Sequence, residues 1–348
     1  MYTEQIKDLE SISQAAGKSV DLVQGGGGNT SVKLDDDLMA VKASGYMLKD
    51  ISPTDGYVVV NYKKIKEYHE QVDFSKEIDY EKESGEFVRE NIVPMEGLKQ
   101  LRPSVEAGFH SVLLKHVIHT HPVYSNIICC SENGFELAQE IFKNEEYGFI
   151  WIPYINPGFM LTISIMKELS KYISENGKFP QVILMENHGF VVTANTASEC
   201  ISLHEQAMET IRDYFNILEP FPKVSIKELE DGSFTSQTQY LIDYFKGRDL
   251  SASFFDDTVL YPDQMVYLGG NISLNGLDNK LNINTETGEI VYRTNEKEAF
   301  TMEETLLAFI YVVDSIKRNN LKIKTMSSNE TDFIKNWESE KYRKSLLK

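Results

Sequence analysis

The sequence predicts an α/β chain with one large domain and a smaller appendage, and three observations lead there. Its 348 residues exceed the ~250–300 at which a single core usually stops growing. Apolar residues make up 41% and aromatics 11%, enough for a packed interior and too many for a disordered chain. Between Ser104 and Leu218, helix-like and strand-like runs alternate at short intervals, until Pro220 and Pro222 break the pattern.

Taken in order, the first twenty residues read as an amphipathic helix with Ile6, Leu9, Ile12, Val20 and Leu22 on its apolar side. The run from Gly25 to Ser31 (GGGGNTS) is too rich in glycine for a helix or strand interior. Residues 31–33 and 38–42 read as strands around an Asp35-Asp36-Asp37 turn. Residues 62–100 are charged and weakly periodic, which predicts a solvated helical or loop insertion. A short helix is expected over 104–114, with Ser104 as its N-cap. Strands follow at 117–122 and 149–154, then a helix at 161–173. Residues 182–185 and 190–193 flank Glu186-Asn187-His188-Gly189 as a strand–turn–strand hairpin, and 198–218 form another amphipathic helix. Beyond the prolines, 281–284 and 289–292 predict a second hairpin, and Thr301 with Glu304 forms a capping box opening a 306–316 helix.

Charge narrows the function classes. With 35 Lys+Arg against 53 Asp+Glu the chain carries −18, so a nucleic-acid partner is not expected. An anionic substrate would need a local positive device, such as a metal ion or oriented backbone N–H groups. The opening residues lack the basic and apolar regions of a signal peptide. The longest apolar run, Leu306 to Val313, falls short of the ~20 residues that cross a bilayer. Cys129, Cys130 and Cys200 show neither disulfide nor metal spacing. The expectation is a cytoplasmic chain with reduced thiols and no membrane partner.

His119-Thr120-His121 lies on a predicted strand, where residues i and i+2 face one side and both imidazoles reach one ion. Two strand histidines are also commonly structural. His188, beside Gly189, sits in a tight turn, where it either joins a metal site or bonds its own backbone. Glu106 stands on the preceding helix, as a metal-side proton acceptor or an ordinary first-turn acid. His110, four residues on, shares its face and could bond it. His69, His116 and His204 read as ordinary. The Gly25–Ser31 loop could cradle an anion, yet it fits neither GxxxxGK[ST] nor GxGxxG. Ala43-Ser44-Gly45 and Pro103-Ser104 each add a hydroxyl beside a bend.

In order, GGGGNTS, KASG, PS-x-E, HTHP and ENHG resemble the class II aldolase/adducin family over roughly Leu9 to Leu218. Within it the chain looks most like the aldolases that cleave rhamnulose 1-phosphate or fuculose 1-phosphate. The resemblance implies a three-layer α/β/α sandwich with a mostly antiparallel central sheet, and a homo-oligomer, usually a tetramer. It implies His119, His121 and His188 as ligands of Zn2+ or another divalent metal, with Glu106 as the catalytic acid/base. Gly28, Asn29, Ser44, Gly45 and Ser104 match the phosphate-binding positions. Tyr154 is a contributor to protonating the aldehyde oxygen. The implied reaction is reversible cleavage of a ketose 1-phosphate, a small-molecule sugar phosphate, to dihydroxyacetone phosphate and an aldehyde through a zinc-stabilised enediolate.

Two features depart from the family pattern: Val105 stands where these aldolases often have serine, and a long insertion precedes Pro103. Epimerases and dehydratases share the superfamily; Glu rather than Asp at 106 favours an aldolase over an epimerase. Adducin-like scaffolds lose the metal histidines, which this chain keeps. Residues 261–267 and 336–343 look like segments of longer aldolases fused to a short-chain dehydrogenase, without that domain here. The alternative reading of these segments is plain packing, with Trp337 and Tyr342 as anchors of a terminal helix. The expected division is a catalytic domain at 1–218 and an α+β extension at 223–348.

Overall fold

The structure is a computed structural model that describes residues 2–337. Leu9, Ile12, Ser13 and Ala16 recur at three- and four-residue spacing, so α1 (Thr3–Ala16) buries one face and leaves the other in water. Val20 and Leu22 lie beyond its end. β1 (Asn29–Lys33) and β2 (Leu38–Lys42) pair antiparallel, and the Asp35 carboxylate between them accepts from the N–H groups of Asp37 and Leu38. β3 (Tyr57–Asn61), unforeseen from the sequence, pairs with β2.

The charged stretch is more ordered than expected. It forms α2 (Tyr62–Glu70) and α3 (Tyr80–Glu90), which bury Ile65 with His69 and Ser84 with Val88. Each pair is four residues apart, a stripe too narrow to stand out against the surrounding charge. His69 is therefore a core residue, its ring stacked on Phe159 at 5.6 Å.

α4 (Ala107–Val112) starts later than expected, with Glu106 rather than Ser104 at the N-cap. Then come β4 (His116–Thr120), α5 (Val123–Cys129), α6 (Gly134–Ile141) and β5 (Phe149–Ile152). α7 (Phe159–Asn176), β6 (Val182–Met185), β7 (Gly189–Ala194) and α8 (Ala197–Tyr214) complete the run. The seven strands are ordered β3-β2-β1-β4-β7-β6-β5. The sheet is mixed: β5 lies parallel to β6, because α7 carries the chain back across the sheet between them, and the other neighbours are antiparallel.

Alternate strand residues feed different cores. Ile118, Val182, Leu184 and Val192 pack with α1, α5 and α8, whereas Val117, Ile183 and Val191 pack with Phe109 of α4 and Leu161 and Ile165 of α7.

The remaining residues form β8 (Ile226–Glu228), β9 (Phe234–Ser236), α9 (Gln239–Phe245), α10 (Phe254–Asp257) and α11 (Pro262–Tyr267). β10 (Ile272–Leu274), β11 (Leu281–Ile283), β12 (Ile290–Tyr292), α12 (Glu296–Arg318) and α13 (Ser328–Asn336) follow. β11 and β12 make the expected hairpin, within a second sheet ordered β10-β11-β12-β9-β8. α12 begins at an Asn295 N-cap, so Thr301 and Glu304 sit buried inside the helix rather than capping it; the capping box is at Ser327 and Glu330 instead. Because α12 is apolar on most sides it is enclosed, and one apolar cluster runs continuously from Leu9 through Ile127 to Ile316. The Trp337 ring lies tilted against Phe333, centroids 5.4 Å apart; Tyr342 lies outside the described residues. No described helix is long and apolar enough to cross a membrane. All three cysteines are free and buried, and burial pushes the Cys200 thiol up to about 12.

Candidate metal centre

One strand end and one tight turn deliver three imidazoles to a common point. His119 is on β4 and His121 one residue past it. His188 is in the β6–β7 turn, where Asn187 takes a left-handed φ of 48°. A Cβ on Gly189 would lie 2.6 Å from the Thr120 carbonyl oxygen and 2.8 Å from His121 Cδ2. Only glycine lets the turn approach the histidine strand this closely.

The potential ligand atoms of His119, His121 and His188 all lie within 4.8 Å of one another, and all three residues are buried. His119 Nδ1 is 3.0 Å from the Phe190 carbonyl. A carbonyl can only accept, so the proton is on Nδ1 and Nε2 presents a lone pair. His121 Nδ1 is likewise 2.5 Å from the Asp263 carboxylate, and its Nε2 lies 3.1 Å from that of His119. Two lone pairs that close repel unless a cation lies between them. Nitrogens bound tetrahedrally to zinc at ~2.0–2.1 Å stand ~3.3 Å apart. The donor set therefore fits a divalent ion. Burial holds the His119 imidazole well below its ordinary pKa, keeping it neutral as a ligand must be.

Glu106 closes the site. Its Oε2 is 3.4 Å from His119 Nε2 and its Oε1 is 3.3 Å from His188 Nε2. Burial opposes the charged carboxylate, but the adjacent His119 and His188 rings and the Asn29 amide outweigh it and hold its pKa well below the usual range. Asn29 Nδ2 donates to Glu106 Oε2 at 2.6 Å and to Ser104 Oγ at 3.1 Å. His110 Nε2 in turn donates to Asn29 Oδ1, and Ser31 Oγ lies 2.7 Å from its Nδ1. Burial drives the His110 pKa down to about 3, so the ring is neutral. His110 thus reaches Glu106 through Asn29, where the sequence suggested a direct bond. His204 bonds Thr120 Oγ1 at 2.7 Å and His116 meets Asp8 at 3.0 Å.

Gly28, Asn29, Ser44, Gly45 and Ser104 line one cleft with Glu106, His121 and His188. Val105 and the buried Lys42 line it too, the latter a cation that the sequence reading did not single out. Lys42 Nζ donates to the Gly26 carbonyl at 3.1 Å. The glycine loop is not the open anion cradle expected of it. Gly25 N–H donates to Glu304, Gly26 N–H to the Tyr267 hydroxyl and Gly27 N–H to the Gln24 carbonyl. Tyr154 is not brought to the cleft: its hydroxyl donates to Asn156 Oδ1 at 3.3 Å, and its ring packs beside Val259, Met265 and Ile334. Asp263 meets His121, and Tyr267 and Glu304 meet the glycine loop, each across more than a hundred residues of chain, roles that the 261–267 resemblance and the capping-box reading of Glu304 did not give them.

The family model for the class II aldolase and adducin N-terminal domain matches residues 11–215. The chain belongs to that family. A Bacillus subtilis protein named uncharacterized oxidoreductase YuxG is 38% identical over 128 residues, 35% of this chain and 17% of that protein. The 3-oxo-tetronate 4-phosphate decarboxylase of Haemophilus influenzae is 23% identical over 224 residues, 60% of this chain and 87% of its own length. Among solved structures, the N-terminal class II aldolase domain of a conserved Thermoplasma acidophilum protein superposes with a TM-score of 0.50 at 24% identity, covering 60% of this chain and 92% of that one.

Proposed function

We propose that this chain is a zinc-dependent lyase that reversibly cleaves a ketose 1-phosphate to dihydroxyacetone phosphate and an aldehyde. The observation that carries the reading is the placement of Glu106 within 3.4 Å of two of three convergent imidazoles, in a cleft shared with Lys42, Ser44 and Ser104. His119, His121 and His188 would hold the ion. When bound, it supplies Lewis-acid stabilisation of the charge that develops on adjacent substrate oxygens as the bond breaks.

The chain's own residues do the rest. Lys42, Ser44, Ser104 and Asn29 hold the phosphate and fix the reacting carbons beside Glu106. In the cleavage direction Glu106 takes up the proton that the substrate hydroxyl loses as the carbon–carbon bond breaks and delivers it to the carbon left electron-rich; in the synthetic direction it removes that proton and returns it to the new hydroxyl. Asn29, itself turned by His110, keeps the carboxylate aimed. Tyr154 enters this reading only from a neighbouring subunit of a homo-oligomer, because in its own chain the hydroxyl turns to Asn156. In the same reading residues 1–218 form the three-layer catalytic domain and 223–348 its extension.

The similarity to a 3-oxo-tetronate 4-phosphate decarboxylase favours a second reading, decarboxylation of a phosphorylated 3-oxo acid. It asks the site to stabilise the same kind of developing charge, with carbon dioxide leaving in place of an aldehyde. One panel separates the two. Ketose 1-phosphates are assayed for dihydroxyacetone phosphate release and phosphorylated 3-oxo acids for carbon dioxide, each with and without chelator. Chelator-sensitive dihydroxyacetone phosphate release supports the aldolase; carbon dioxide release alone replaces it with the decarboxylase.

A further inference from the structure

The residues matching the family model stop at 215, yet the metal centre does not. His121 is held from outside, by a carboxylate 142 positions away on α11. Asp263 is 1% exposed, so its contact with His121 Nδ1 is shielded from water. A Cβ on Gly27 would lie 2.4 Å from Asp263 Oδ2 and 3.1 Å from His121 Nδ1, so the glycine loop is shaped to admit this carboxylate. The same extension grips the third histidine's turn. Asn187 Nδ2 donates to the carbonyls of Leu260 and Lys324 at 2.8 and 2.9 Å, and Lys324 pairs with Glu186 at 2.7 Å.

The geometry points to Asp263 as a positioning residue for the metal centre: it fixes the His121 ring with its proton on Nδ1 and its Nε2 lone pair turned toward the ion, so that the extension completes a site the family domain alone leaves unbraced. A carboxylate on the far nitrogen of a ligating imidazole sets both its orientation and its basicity. His119 has a neutral carbonyl in that place, whereas His121 has the Asp263 carboxylate. The inference rests on the metal-centre reading and extends it to a residue the family match does not reach.

The test is zinc affinity of the full chain, measured by competition with a chromophoric chelator for the wild type, Asp263→Asn and Asp263→Ala. Glu304→Gln is the matched control: it loosens the same extension from the same loop, at Gly25, without touching a histidine. Removing such a brace weakens metal binding by about 10–100-fold. We expect losses in that range for both Asp263 variants and wild-type affinity for Glu304→Gln. Melting temperatures with and without zinc supply the second readout: the zinc-induced rise shrinks in Asp263→Asn and persists in Glu304→Gln. If Asp263→Asn, which keeps the side-chain shape, binds zinc as the wild type does, the positioning role is overturned. An equal loss in Glu304→Gln overturns it as well, in favour of general docking. Failure of the wild type itself to bind zinc overturns the metal-centre reading, a separate result.

Discussion

Replacing Gly189 by alanine tests the packing that brings the two halves of the histidine triad together. The new methyl would sit 2.6 Å from the Thr120 carbonyl oxygen, 2.8 Å from His121 Cδ2 and 3.2 Å from His119 Cε1, against an ordinary contact of 3.4–4 Å. To reach 3.4 Å, the His121 ring must give by 3.4 − 2.8 = 0.6 Å or the backbone by 3.4 − 2.6 = 0.8 Å. Ligand positions in a metal site tolerate only about 0.2 Å. The ring also cannot swing freely, since Asp263 holds its other nitrogen. We therefore expect zinc affinity to fall by on the order of 10–100-fold, the range seen when ligand support is disturbed. Overpacking should cost about 1–3 kcal/mol of stability, which at about 2–4 °C per kcal/mol is a visible loss in melting temperature. Chelator competition and thermal unfolding of the metal-free protein measure the two effects separately. A Gly189→Ala protein with wild-type affinity and melting temperature would show that the close approach of this turn does not position the histidines.

Two further outcomes follow from the cleft and the core. Val105 lines the cleft beside Ser104, so Val105→Ser should add a charge-assisted hydrogen bond of about 1.5–3 kcal/mol and lower the KM for a phosphorylated substrate by about one to two decades with little change in kcat; an unchanged or raised KM contradicts the phosphate clamp. Burial holds His204 at about 4, so the folded ring stays neutral while the unfolded chain takes up its proton below about pH 6.5. That stability is full above pH 6.5 and is lost as the pH falls toward 4. Relative to His204→Gln, the wild type should lose up to about 3 kcal/mol across that window, and parallel pH profiles of the two proteins would contradict this.

What the sequence made legible was the part with local punctuation. The histidine pair on β4, the turn at Asn187 and Gly189, and the serines beside bends all sit in short motifs whose order could be recognised. The structure brings Asn29, Ser44, Ser104, Glu106, His121 and His188 to one cleft. α5 was missed because Val123 to Cys129 is buried on every side and so has no helical period to read. The start of α12 was misplaced because Thr301 and Glu304 mimic a capping box, while the true N-cap is Asn295, whose side chain accepts from Glu298 N–H. The glycine loop misled in a different way. Its composition promised free N–H groups, but Glu304 and Tyr267 occupy them from a distance. Asp263 stood within the 261–267 segment that the resemblance marked, but nothing in the sequence gave it a role until the fold set it against His121.

Proton transfer by Glu106 beside a bound ion can be tested with no knowledge of the aldehyde. Dihydroxyacetone phosphate is incubated with the protein in heavy water, and the hydrogens on its hydroxyl-bearing carbon are followed by proton NMR. If Glu106 moves a proton at that carbon beside a bound divalent ion, the metal-loaded wild type exchanges one of the two hydrogens stereospecifically. Chelator should stop the exchange, added zinc should restore it, and Glu106→Gln should slow it by about 10²–10⁴-fold. No exchange by the metal-loaded wild type, or exchange by Glu106→Gln at the wild-type rate, would contradict the account.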